Sequence, residues 1–215
     1  MGYFTIKNEA VSEFEEKKSV FIGHALRVCE ESEARDFVNR IRGEHKEARH
    51  NVYAYIIGEN MGIQRYSDDG EPQGTAGVPV LDAIKKNGVT DVAVVVTRYF
   101  GGVLLGKGGL VRAYSKAASD AIKEGEIVER VKGAPLTIDI EYDALGKLQY
   151  MFEQNGWFIE DTVYTDKVKV MTYCEADKIQ EVSGKVTEAL SGRCTISEGD
   201  PEYFFKNPEG KLSLK

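Results

Sequence analysis

The stretch that decides the fold of the first half is "DVAVVVTRYFGGVLLGKGGLVRAYSKAASDAIKEG", Asp91 to Gly125. It opens with a run whose apolar residues do not alternate with polar ones, which predicts a strand buried on both faces. It closes with Leu110, Val111, Tyr114, Ala117, Ala118, Ala121 and Ile122 at helical spacing. These form one apolar face, with Arg112, Ser115, Lys116, Ser119 and Lys123 mostly opposite. Between strand and helix, five of the nine residues from Gly101 to Gly109 are glycine: Gly101, Gly102, Gly106, Gly108 and Gly109. Lys107 sits among them, flanked by Arg98 and Arg112.

A strand, then glycine, then a helix start suits an anion, because free N–H groups and the helix dipole meet at that end. Gly101, four residues, Gly106 and Lys107 spell G-x-x-x-x-G-K. The next residue is Gly108, not the Ser or Thr that would hold magnesium in a P-loop. Val103, Leu104 and Leu105 make an apolar tip unlike a phosphate cradle, and the strand does not end on an Asp. The spelling argues against P-loop ATP hydrolysis. Two readings of the glycines stay open. In one, they only permit positive φ and close packing. In the other, Arg98, Gly101, Gly102, Lys107, Gly108, Gly109 and Arg112 hold phosphate or nucleic acid.

Working outward, "VSEFEE" and "SVFIGHALRV" flank Lys17-Lys18 as a hairpin. "ESEARDFVNRIRGEHKEA" is a helix opened by Glu31 or Ser32. Cations at its end (Arg42, Lys46, Arg49) and the imidazoles His45 and His50 either offset the helix dipole or extend a basic patch, and Arg49 and His50 are counted with the candidate phosphate or nucleic-acid residues. "VYAYIIG" is a strand. "RYSDDGEPQGTAGVP" is too rich in Asp, Gly and Pro to be regular throughout. Its Asp68, Asp69 and Glu71 are a candidate acidic site for a base or a divalent cation. They also suit a solvated turn whose Asp side chains cap backbone N–H groups. They lack calcium-loop spacing, and His24, His45 and His50 have no metal-ligand spacing. No metal and no cofactor is expected. "VLDAIKKNG" is a helix with Gly88 past its end.

"EIVERVK" is a strand and "GAP", Gly133 to Pro135, a break. The domains expected are thus 1–133 and 134–215. Beyond the break the chain alternates: "LTIDIEY" strand, "DALGKLQYMFEQNG" helix with Asp143 as N-cap and Gly156 as stop, then "WFIEDTVYT" and "KVKVMTYCE" as strands. "ADKIQEVSGKVTEALSG" is a helix, and "CTISEGDPEYFFK" a last strand interrupted at Pro201. That order is βαββαβ, the ferredoxin-like split motif. "NPEGKLSLK" reads as a frayed tail. The fold class is α+β with two domains.

The 215 residues carry a net charge of −7. To Gly133 there are 19 Lys+Arg against 20 Asp+Glu, and beyond it 9 against 15. Any nucleic-acid contact is therefore expected on the near-neutral front part. No stretch approaches the roughly 20 apolar residues of a membrane span, and "MGYFTIKNEAVSEFEEKK" has neither a signal core nor a myristoylation pattern. Cys29, Cys174 and Cys194 are few and scattered, as in reduced cytosolic proteins. A cytoplasmic protein without a membrane contact is the expectation.

"YSDDGEPQGTAGVPVL" and "VVVTRYFGGVLLGKGGLVRAYSKAA" resemble the two signature blocks of the YigZ/IMPACT family. "FIGHA" and "RHNVYAY" fit its minor motifs. The resemblance implies a bacterial-type two-domain protein, with a front domain similar to domain IV of elongation factor G and a back domain similar to its ferredoxin-like domain V. Eukaryotic relatives are translation regulators that compete for an activator of an initiation-factor kinase. Bacterial members lack that pathway, and the resemblance supplies no catalytic residues. The functional expectation is a non-enzymatic binding protein acting near translation, with RNA or the ribosome as partner. The rival is an enzyme on a small phosphorylated compound, with the glycine loop as phosphate site and Asp68, Asp69 or Glu71 as base. A third reading is a protein adaptor using Val103, Leu104 and Leu105.

Overall fold

The computed structural model describes residues 2–214. The chain divides into two compact units, one over Tyr3–Val128 and one over Glu129–Lys215 together with the first residues.

In the first unit, β2 (Ala10–Glu16), β3 (Ser19–Arg27), β4 (His50–Ile57), β5 (Ile63–Ser67) and β6 (Val92–Tyr99) form an antiparallel sheet of order β2-β3-β6-β4-β5. The central strand β6 is buried along both faces, and its side chains alternate between two cores. Val92, Val94 and Val96 pack with α2 (Gly77–Lys86) and α3 (Lys107–Glu124), while Ala93 and Val95 pack with α1 (Glu31–Glu44). That is why the apolar run is continuous: each face of the strand has its own helix layer, and each fully buried valine contributes roughly 1.5–3 kcal/mol. Helix α3 lies close on the sheet because Gly23 in β3 has no side chain. A Cβ there would stand 2.3 Å from the Ala117 carbonyl oxygen.

Several elements differ from expectation. Strand β1 (Tyr3–Ile6) and strand β5 were not foreseen. The latter, "IQRYS", is short and polar because it is an edge strand with only β4 beside it. Helix α1 stops at Glu44 rather than Ala48, and its N-cap is Glu30, which forms a capping box with Glu33. The anticipated break at Gly133 to Pro135 is no break. β7 (Ile127–Ile140) runs through it, and Pro135 is tolerated at a ladder position against Tyr173.

In the second unit, β7, α4 (Leu145–Asn155), β8 (Asp161–Tyr164), β9 (Val168–Glu175), α5 (Ile179–Ala189) and β10 (Cys194–Glu198) follow in βαββαβ order. β9 pairs with β7 and β8 with β9, while β10 lies on the other side of β7, all antiparallel. The resulting order β10-β7-β9-β8 is that of the split βαβ motif. The interruption at Pro201 separates β10 from β11 (Glu202–Lys206), which pairs with the first part of β7. The supposed frayed tail instead forms β12 (Leu212–Ser213), which returns on β11 and buries Leu212. Gly156 ends α4 in the left-handed conformation at φ +65°, as its glycine suggested. Asp143 is not a cap: a single 3₁₀ turn, Tyr142–Ala144, precedes α4, and the Asp143 carboxylate pairs with Arg193.

Candidate functional site

Two loops of the first unit converge on one cleft. The first leaves the end of β5. Asp68 turns back on it, and its carboxylate accepts from the N–H groups of Gly74 (2.9 Å), Ala76 (3.1 Å) and Gly77 (2.8 Å), which caps α2. Asp69, at φ +45°, accepts from the Asn51 N–H at 2.6 Å and from Arg42 Nη2 at 2.8 Å. The three acidic residues therefore do not make one acidic site. Asp68 and Asp69 are engaged in holding the turn, and Glu71 alone lines the cleft. Among the described residues no three His, Cys, Asp or Glu side chains gather as metal ligands.

The second loop leaves β6 after Tyr99, next to Arg98, and reaches α3 at Lys107. Gly101 passes so close to the β2–β3 turn that a Cβ would stand 1.8 Å from the Lys18 carbonyl oxygen. Gly106 takes φ +72° and ψ 163° at the helix start, an extended positive-φ conformation that glycine adopts at little cost. Leu110 N–H donates to the Gly106 carbonyl at 3.0 Å, so the N–H groups of Lys107, Gly108 and Gly109 have no acceptor within the helix.

Arg98 is not the surface cation the sequence suggested. Its residue is only 4% exposed, and its Nη1 donates to Glu71 Oε1 at 2.5 Å. Tyr114 OH donates to the same oxygen at 2.8 Å. Burial, and behind it the Glu71 carboxylate, pushes the Tyr114 phenol well above its ordinary pKa, so it remains a donor. Ser19 Oγ accepts from Gly101 N–H at 3.2 Å and stands 3.4 Å from Arg98 Nη2. Ser19, Tyr114 and Phe100 are the members of the site that sequence reasoning missed. The helical spacing places Tyr114 on the core face of α3, where it does lie, and only its hydroxyl marks it as more than core.

The cleft encloses about 420 Å³. Glu71 and Arg98 form its buried polar part, Arg49, His50 and Lys107 add cationic or ionisable groups, and Phe100, Leu104 and Leu110 supply apolar wall. Phe100 is 36% exposed and carries the guanidinium of Arg49 at 5.2 Å and that of Arg98 at 5.5 Å from its ring centre. Exposed Lys107 has no ion pair or side-chain hydrogen bond among the described residues. The two signature blocks thus meet, through Glu71 from one and Arg98 and Tyr114 from the other. Arg112 does not join them. It lines a second depression with Phe14, Lys17 and Lys116, and only Leu105 is shared between the two. Five helical positions separate Lys107 from Arg112, which turns them about 140° apart around α3.

Residues 17–122 match the Impact N-terminal domain, and residues 138–193 match a domain of unknown function, DUF1949. The chain is 41% identical to the IMPACT family member YvyE of Bacillus subtilis, over 95% of this chain and 94% of that one. The chain belongs to the IMPACT family. It is also 34% identical to the IMPACT family member YigZ of Escherichia coli, over 82% of this chain and 87% of that one. A crystal structure of a hypothetical protein superposes with a TM-score of 0.60 at 30% identity, covering 93% of this chain and 98% of that one. Every cleft residue named above lies inside the matched Impact domain. The family is shown on the bacterial side by near full-length relatives, and among the described residues no helix is long and apolar enough to cross a membrane.

Proposed function

We propose that this IMPACT family member is a cytoplasmic RNA-binding protein acting near translation, and that the cleft between the two signature loops holds the RNA. The observation that carries the reading is the joining of three features in one concavity: Lys107 without an ion-pair partner among the described residues, N–H groups without a helical acceptor at the start of α3, and an exposed Phe100 ring flanked by guanidinium groups. Lys107 and the helix start suit a phosphate. Phe100 and Arg49 offer a stacking surface to an unpaired base, which is how proteins usually take single-stranded RNA. Arg98 adds a buried cation to the cleft lining, with its charge offset by Glu71.

The test is binding of a single-stranded RNA, and of ribosomes by co-sedimentation, across a salt series of roughly 50 to 200 mM. Affinity should fall steeply with salt, and Lys107→Ala should lower the logarithmic salt slope by about 0.7 for one lost phosphate contact. Phe100→Ala should weaken binding roughly tenfold or more while leaving that slope unchanged. Salt-independent binding, or wild-type affinity in Lys107→Ala, would sink the reading. One observation favours the rival small-molecule reading: the cleft volume lies in the range of ligand pockets. That reading requires a phosphorylated small molecule to raise the melting temperature in the absence of RNA.

A further inference from the structure

In the second unit β9 loses its outer neighbour halfway along. β8 pairs with it as far as Met171, opposite Asp161. Residues 157–160 form no strand, although Glu160 N–H still donates to the Met171 carbonyl at 2.8 Å. Beyond that point β9 continues to Glu175, and among the described residues Thr172, Tyr173, Cys174 and Glu175 pair with β7 alone. The ladder partner of Tyr173 is Pro135, which has no N–H and whose carbonyl accepts from Gly199 N–H at 2.8 Å, on the β10 side of β7. Pairs in an antiparallel ladder alternate between bonded and non-bonded, and this one is non-bonded. The N–H and C=O of Tyr173 therefore point to the edge that β8 has left. The carbonyl meets the Thr172 hydroxyl at 3.4 Å, but that hydroxyl donates more closely to the Phe158 carbonyl, at 2.7 Å. The N–H has no acceptor among the described residues.

This edge opens into a cavity of about 250 Å³. On the helix side Phe152, Cys174 and Val182 give it an apolar floor, and on the other side Tyr173 and Leu212 wall it. Glu175 at its rim is already paired, with Lys178 at 2.7 Å and Lys206 at 3.1 Å, so the rim does not call for a charged ligand. An unpaired donor and acceptor on a sheet edge are a template for another strand. A strand laid along β9 sets one residue opposite Tyr173, where it exchanges two hydrogen bonds. The neighbours of that residue point to the helix side, at Phe152, Cys174 and Val182. We propose that this groove takes an extended peptide segment with apolar side chains at alternate positions, which adds to β9 as a strand. The site lies wholly in the second unit and is independent of the RNA reading.

Trp157, the one tryptophan of the chain, lines the cavity and reports its occupancy by fluorescence. The probe is a synthetic peptide, threonine-valine-threonine-valine-threonine, acetylated and amidated at its ends and titrated into the full chain. In the free chain the Tyr173 amide should exchange its hydrogen faster than the Cys174 amide, which the β7 ladder holds. The peptide should shift the Trp157 emission and slow exchange at Tyr173. Methylating the backbone nitrogen of the central threonine should weaken binding roughly tenfold, the worth of one hydrogen bond. Tyr173→Pro removes a donor that the β7 ladder does not use and should weaken binding by a similar factor; circular dichroism establishes whether it keeps the fold. The methylated peptide tests the same bond on the unaltered chain. No emission shift at about 1 mM peptide overturns the proposal. Undiminished binding of the methylated peptide also overturns it, since the cavity would then take apolar groups without strand pairing. So does a Tyr173 amide protected in the free chain, because the edge is then already covered; protection that rises with protein concentration would identify a second copy as the cover.

Discussion

Glu71 and Arg98 show how much a single residue's role depends on a partner far along the chain. They are 27 positions apart, both nearly inaccessible, and joined at 2.5 Å. In sequence, Arg98 follows an apolar strand and precedes glycine, which is how a surface cation at a loop start looks. Nothing local says that a carboxylate arrives from another loop. Removing one partner of such a pair leaves the other as a buried, uncompensated charge. Arg98→Met is therefore expected to lower unfolding free energy by about 3–5 kcal/mol in urea titration. Arg98→Met with Glu71→Gln should recover part of that loss. If the single variant is as stable as wild type, the pair is not holding the two loops together. His24 makes the second residue-scale case. It is buried in β3 with Nε2 unpartnered, its ring 5.1 Å from that of His45. Burial first, then His45, lowers its pKa from 6.5 to about 4. The folded state thus binds the proton less well than the unfolded chain. This contribution to stability is complete above pH 6.5, is lost as pH falls from 6.5 towards 4, and is level below. The full loss is about 3 kcal/mol. His24→Gln should flatten that part of a stability–pH curve, and an unchanged slope would show that other groups govern it.

Elements were legible where their physics is local. The uninterrupted apolar run of β6 announced burial on both faces, and the spacing in α3 announced its buried face. The βαββαβ order came from turns and periods that each segment carries in itself. Elements were missed where pairing, not composition, makes them. The strand β5 has little apolar pattern because it is an edge, β12 is two residues long, and β7 runs through a Gly-Ala-Pro that looks like a terminator. The candidate site was half legible for the same reason. Glycines, Lys107 and the acidic turn stand out in sequence, but which of them share a cleft depends on helix phase and on contacts between loops. Glycine positions test the element scale directly. Gly23→Ala places a methyl against the Ala117 carbonyl and must push α3 off the sheet. It should cost about 1–3 kcal/mol. Gly184 lies inside α5 with nothing within 4 Å of its would-be Cβ. Gly184→Ala should instead stabilise by about 0.5–1 kcal/mol. Chemical denaturation of both variants checks the pair, and the same sign for both would contradict the packing described for β3 and α3.

At the scale of the molecule, the cores of the two units share no residue: one set of clusters is drawn from positions 6–122 and the other from 131–212. Charge is divided as unevenly as the cores are cleanly. Positions 1–128 hold 17 Lys+Arg against 19 Asp+Glu, and positions 129–215 hold 11 against 16. The unit with the cleft is thus near neutral and the other is a net anion, so on the proposed RNA reading the second unit should repel RNA. That repulsion acts through solvent and is screened over roughly 8–10 Å at physiological ionic strength but over roughly 30 Å at 0.01 M. A fragment of residues 1–128 is expected to unfold cooperatively, since its apolar clusters are complete within it. It should also bind single-stranded RNA at least as tightly as the full chain. The advantage of the fragment should be small near 0.15 M salt and grow as salt is lowered, because only the long-range term differs between them. Parallel anisotropy titrations at several salt concentrations measure this. A folded fragment that binds more weakly than the full chain at every salt would mean that the second unit supplies contacts of its own, and the RNA surface would then have to extend beyond the cleft.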